Sequence, residues 1–84
     1  MRYKWELYAD VIRNCPRCTT DLIRVSNCSM AVINTATDLG LIRGKWERGL
    51  KDRIRARFKV WYATDKGREF VRLIEEIRSL LENE

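Results

Sequence analysis

The chain predicts an α+β domain in which three helices precede a two-stranded β-ribbon and a fourth helix closes the sequence. Three patterns carry that prediction. Trp5, Tyr8, Ala9 and Ile12 recur at helical spacing. So do Phe70, Leu73, Ile74, Ile77, Leu80 and Leu81 near the other end. Between them Lys51, Arg53, Arg55, Arg57 and Lys59 alternate with residues that turn apolar after Asp52, namely Ile54, Ala56, Phe58 and Val60. A period of two belongs to a strand with one wet and one buried face. The chain has 84 residues, enough for one domain with a thin core that a dimer interface would help.

The first helix is expected over residues 4–14, where Asn14 and Pro16 stop it. Thr19 or Thr20 can cap a short second helix over residues 20–26, with Asp21 near its positive end. Asn27 or Ser29 opens a third helix that runs to about Leu39, and Gly40 supplies its stop. Ser29, Asn34, Thr35 and Asp38 make one side of that helix polar, while Val32, Ile33, Ala36 and Leu39 can pack on the other.

A strand follows over residues 41–46, and the basic strand runs over residues 53–63, with Gly49 permitting a turn between them. Pairing Ile42 with Phe58, Gly44 with Ala56 and Trp46 with Ile54 gathers the apolar side chains on one face. That register sets Arg43 against Arg57 and Lys45 against Arg55, repulsive pairs that call for an anion. Trp5, Trp46 and Trp61 are expected to pack in the core and the wing, although by alternation Trp61 shares the cationic face, where it could instead be exposed or cover part of a dimer. Thr64 can cap the last helix, and Asp65 suits its first turn.

The net charge of +5 conceals segregation. Residues 1–42 carry net +1, residues 43–68 carry ten basic and three acidic groups for net +7, and residues 69–84 carry net −3. One positive block of this kind is the footprint of a polyanion partner. Histidine is absent, which removes the commonest general base and metal ligand. Glu75 and Glu76 lack a His or Cys partner, so no catalytic pair is in view and an enzyme is not expected. No apolar run approaches a membrane span and the first residues do not read as a signal peptide, so a cytoplasmic, intracellular protein is expected.

Cys15-Pro16-Arg17-Cys18, together with Cys28, leaves three readings open. The cysteines can be plain thiols, Cys15 and Cys18 can form a disulfide that staples the corner between the first two helices, or the group can be a sensor or metal site. Zinc takes four ligands, and three cysteines without histidine leave the set incomplete. No cofactor or small-molecule ligand is evident.

Three pieces of sequence resemble the winged helix-turn-helix regulators, particularly the small ones of archaea and their viruses. These are Asn27-Cys28-Ser29 ahead of the third helix, Leu39-Gly40-Leu41-Ile42 after it, and Tyr62-Ala63-Thr64-Asp65-Lys66-Gly67-Arg68-Glu69-Phe70 opening the last. The last piece is similar to the Tyr-x-Thr-x-x-Gly-x-x-Phe/Leu element that leaves the wing in many such proteins. The resemblance covers nearly the whole chain. It implies one domain over residues 1–84, with the helix-turn-helix and wing in 1–63 and a dimerisation helix in 64–84. It also implies double-stranded DNA as partner, with the third helix in the major groove and the wing on the backbone or minor groove. Carried over by position, the groove-facing candidates are Ser29, Met30, Ala31, Asn34 and Thr35. Asn34 is the best suited to read an adenine edge. The wing candidates are Lys45, Arg48, Lys51, Arg53 and Arg55. A homodimer through Phe70, Leu73, Ile74, Ile77, Leu80 and Leu81 would read two half-sites. The alternative is a winged-helix module that docks an acidic protein in a transcription or replication assembly.

Overall fold

A computed structural model describes residues 4–48 and 57–82. The elements run α1 (Lys4–Asn14), β1 (Arg17–Cys18), α2 (Thr19–Ser26), α3 (Met30–Asp38), β2 (Ile42–Arg48), β3 (Arg57–Ala63) and α4 (Asp65–Glu82). The four expected helices and the ribbon are present. β1 is an addition: two residues are too few to show a period, and the strand exists because β3 pairs with it. The sheet is antiparallel with order β1-β3-β2, so β3 is its centre.

Val11 and Ile12 of α1, Leu22 of α2, Ile33 and Ala36 of α3, Leu41, Ile42 of β2 and Trp61 of β3 form one buried cluster. Trp61 places a polar group there, and its Nε1–H donates to Thr19 Oγ1 at 2.9 Å, so the indole is buried without an orphaned donor. Asn14 Nδ2 donates to Ser26 Oγ at 3.0 Å and ties the end of α1 to the end of α2. Of the two residues expected to open α3, Asn27 instead closes α2. It sits in the left-handed region at φ 52°, which Asn tolerates, and Cys28 N–H then returns to the Ile23 carbonyl. Ser29 is the extended residue from which α3 starts.

The expected ribbon register is overturned. Ile42 pairs with Ala63 rather than Phe58, Gly44 with Trp61, and Trp46 with Lys59. The offset is an odd number of residues, which exchanges the faces of one strand relative to the other. Arg43 therefore lies opposite Tyr62 and Lys45 opposite Val60, and the expected Arg43–Arg57 and Lys45–Arg55 pairs do not form. The physical reason lies at the base of the ribbon. The α3–β2 corner is bonded to the start of α4, which brings Ala63 beside Ile42 whatever the alternation further out prefers. Trp61 does share the alternation of Lys59, yet it is 2% exposed. That face is core at its base and cationic beyond it.

Thr64 makes the corner. Its hydroxyl lies 2.5 Å from the Gly40 carbonyl oxygen and 3.0 Å from that of Leu41, and it accepts the Gly67 N–H at 3.0 Å. Its own N–H donates to the Leu41 carbonyl at 3.1 Å. The same side chain thus caps α4 and holds the turn after α3. Lys66 Nζ donates to the Leu39 carbonyl at 2.6 Å, a cation at the negative end of α3. Gly67 sits so close that a Cβ there would lie 2.0 Å from the Leu41 carbonyl oxygen.

α4 rests on α1 and the core through Phe70, Val71 and the buried Ile74. Arg13–Glu75 at 3.4 Å and Arg78–Glu6 at 3.5 Å flank the contact. This corrects part of the expected dimer stripe: Phe70 and Ile74 face the chain's own core, because helical spacing places them one row away from Leu73, Ile77 and Leu80. Those three and Leu81 remain exposed.

No disulfide joins Cys15, Cys18 or Cys28, so the Cys15–Cys18 staple is not formed. Cys15 turns back and donates its S–H to the Val11 carbonyl at 3.3 Å, while Cys18 belongs to β1 opposite Val60.

Gly67→Ala is expected to lower stability by about 1–3 kcal/mol or more through overpacking against backbone, and Thr64→Ala by about 1–2 kcal/mol through the lost cap. Thr64→Ser should retain most of that stability. Urea unfolding midpoints test this, and an unchanged midpoint for Gly67→Ala would show that α4 does not start against Leu41. Burial pushes the Cys15 thiol up to about 11. Its native-state alkylation should therefore be slow near neutral pH and keep rising towards that value, whereas denaturant should release all three thiols at ordinary rates.

Candidate nucleic-acid interface

α3 has two unlike faces. Ile33 and Ala36 are fully buried, whereas Met30, Ala31, Asn34, Thr35 and Asp38 are exposed, with Ser29 exposed at the start. All five groove-facing candidates therefore lie on the outward side of one helix. Thr35 is partly engaged, since its hydroxyl donates to the Ala31 carbonyl at 2.9 Å. The three residues 27–29 separate α2 from α3, the short turn of a helix-turn-helix pair. Nine residues make α3 about 13 Å long, enough for its first two turns to meet a groove.

The ribbon supplies cations beside that helix. Arg43 and Lys45 are exposed on β2, and the described ladder ends on the pair Arg48–Arg57. The candidates Lys51, Arg53 and Arg55 lie outside the described residues. Other cations are answered locally: Arg24 pairs with Asp21 at 3.0 Å, Arg68 with Asp65 at 2.9 Å, and Arg13 with Asp10 at 3.3 Å. Arg72 pairs with both Glu69 and Glu76, and the bond from Arg72 holds the Glu69 carboxyl below its usual range. Lys66 is committed to the end of α3. Among the described residues several helix cations are thus answered at short range, whereas Arg43 and Lys45 stand exposed on the ribbon.

Two ribbon side chains escaped the sequence reading. Lys59 lies between two indoles, its Nζ 4.5 Å from the Trp61 ring centroid and 5.6 Å from that of Trp46. Alternation marked Lys59 as an outward cation but could not show what it lies over, because that depends on the register. Tyr62 O–H donates to Glu47 on the neighbouring strand, and that bond raises the Tyr62 pKa. Glu47 is thereby held to the ribbon.

A cleft of about 320 Å³ opens between α1, the β1 corner, β3 and α4, lined in part by Arg13, Cys15, Tyr62 and Arg68. Among the described residues no group of three or more Cys, Asp or Glu side chains could hold a metal ion. Among them also, no helix is long and apolar enough to cross a membrane.

No protein-family model and no curated protein matches the chain. Two solved structures are similar to it. The crystal structure of Sso10a-2, described as a DNA-binding protein from Sulfolobus solfataricus, superposes with a TM-score of 0.74 at 25% identity, covering 98% of this chain and 84% of that one. Staphylococcus aureus MarR, in complex with salicylate and kanamycin, superposes with a TM-score of 0.60 at 18% identity. That match covers 99% of this chain and 56% of MarR, so the chain spans little more than half of its length. With α2 and α3 as the helix pair, β2 and β3 as the wing and α4 following it, the chain is a winged helix-turn-helix protein.

Proposed function

We propose that the chain is a dimeric, sequence-specific binder of double-stranded DNA that acts as a transcriptional regulator. The observation that carries this reading is the outward face of α3, where Ser29, Met30, Ala31, Asn34 and Thr35 are exposed beside a ribbon with exposed cations. The printed description of Sso10a-2 as DNA-binding supports the same partner. In this reading α3 enters the major groove and Asn34 bonds an adenine edge in two places. Lys45 and Arg48, with Lys51, Arg53 and Arg55, meet phosphates or the minor groove. Residues 1–63 carry the DNA contacts and residues 64–84 the contact between copies.

The dimer is supported by α4. Leu73, Ile77, Leu80 and Leu81 are 44%, 49%, 76% and 65% exposed on one helix. An apolar row of that spacing packs against its own copy as a coiled-coil-like seam. Two copies would place their α3 helices on half-sites about one helical turn apart, ~34 Å.

Selection of bound duplexes from a random pool tests the reading directly, with a palindromic site as the expected return. Asn34→Ala should cost about 1–3 kcal/mol of discrimination at one base pair. Lys45→Ala should weaken binding to all sequences alike and lower the salt slope by about one. Equal losses on selected and random duplexes for both variants would refute that division. Ile77→Asp should yield monomers in sedimentation and weaker binding to a full site; a variant that stays dimeric removes this row from the interface.

A further inference from the structure

Trp46 is 61% exposed, more than any other aromatic side chain among the described residues. It lies four residues out along β2 from the buried Ile42, about 13 Å from the core. Alternation puts it on the sheet face of Ile42 and Trp61, the face that packs against α2 and α3. An indole left so exposed on a cationic ribbon is held in place by the chain. Lys59 lies opposite it in the ladder, and its ammonium is shared between the Trp46 and Trp61 rings. Gly44 makes room for that arrangement: a Cβ there would lie 2.2 Å from Lys59 Cε and 3.1 Å from Trp61 Cζ3. A glycine notch, a lysine laid across it and a buried tryptophan behind together anchor the exposed ring to the core.

We infer that Trp46 is a wedge that enters the minor groove of duplex DNA and partly unstacks a base step, bending the duplex. This inference rests on the proposed DNA-binding reading and adds a mode of contact to it. Charge selects the occupant. Lys59 stands beside the ring on its own face, Arg43 and Lys45 are exposed on the other face of the same strand, and the residues beyond it are strongly basic. A second copy would bring the same cations against these, whereas a duplex brings phosphates that neutralise them. Apolar side chains flanked by cations are the means by which proteins pry open minor-groove steps. Because Lys59 already restrains the ring, less rotamer freedom is lost when it inserts.

The test uses duplexes of roughly 30 base pairs, end-labelled for energy transfer and carrying 2-aminopurine at successive steps. The parent should raise energy transfer between the ends and brighten 2-aminopurine at one step. Trp46→Ala should bind about 5- to 100-fold more weakly, with an unchanged salt slope, and leave the duplex straight. Trp46→Phe should keep part of the bend, and both variants should keep the parent's unfolding midpoint. A Trp46→Ala protein that binds and bends like the parent overturns the wedge and leaves the DNA-binding reading intact. A parent that binds no duplex overturns both. If Trp46→Ala lowers self-association and leaves DNA binding unchanged, the ring belongs to a contact between copies and the inference fails.

Discussion

The structure turns on one polar corner, the hydroxyl of Thr64 against the Gly40 and Leu41 carbonyls with Gly67 pressed onto the same peptide. Three segments meet there: the end of α3, the start of β2 and the start of α4. Each leaves backbone groups unpaired, two as helix termini and one as a strand that has not yet found its ladder. Thr64 and Lys66 answer the carbonyls of Leu39, Gly40 and Leu41 that follow α3, and Thr64 answers an α4 N–H. Burying Leu41 at 3% exposure is affordable because its carbonyl is bonded. The Thr-x-x-Gly spacing is therefore a structural device. The residue types are those a cap and a close backbone contact require.

From that corner the ribbon's geometry follows. With Ala63 fixed beside Ile42, every later pair in the antiparallel ladder is determined, and Lys59 arrives opposite Trp46. Any register offset by one would carry Trp61 out of the core and Val60 into its place. Trp61 also bonds Thr19 at the start of α2, so the ribbon is locked to the helices from two sides. The corner near α4 thereby decides which side chains the outer ribbon presents.

Much of this was legible before any coordinates. The apolar spacings located α1 and α4, and the Asn, Ser, Gly and Thr stops located the helix ends within one or two positions. The exposed face of α3 followed from the same periodicity. The register was not legible, since apolar alternation in both strands is satisfied by several pairings, and the deciding contacts come from Thr64 rather than from the strands. β1 was invisible for want of length. A stripe of six apolar residues does not reveal how it divides: α1 and the core take Phe70 and Ile74, and Leu73, Ile77, Leu80 and Leu81 stay exposed. The core reading of Trp61 holds, but alternation alone leaves its exposure open, because it names a face without saying how far along it the core extends.

The ribbon's reach poses the remaining physical question. A two-stranded ribbon standing clear of a core is marginal in water, having no second layer to bury against. This one draws support from its own side chains. On one face Tyr62 bonds Glu47 across the strands, and on the other Lys59 bridges an exposed indole to a buried one. Lys59 does this with a charged group, so the stiffening adds no apolar surface beyond Trp46 and keeps a cation on the basic face. A stiff ribbon holds its cations at fixed separations, and fixed separations are what a regular array of phosphates rewards. The same bridge thus steadies the outer ribbon locally, without carrying the global fold, and sets where its charges stand.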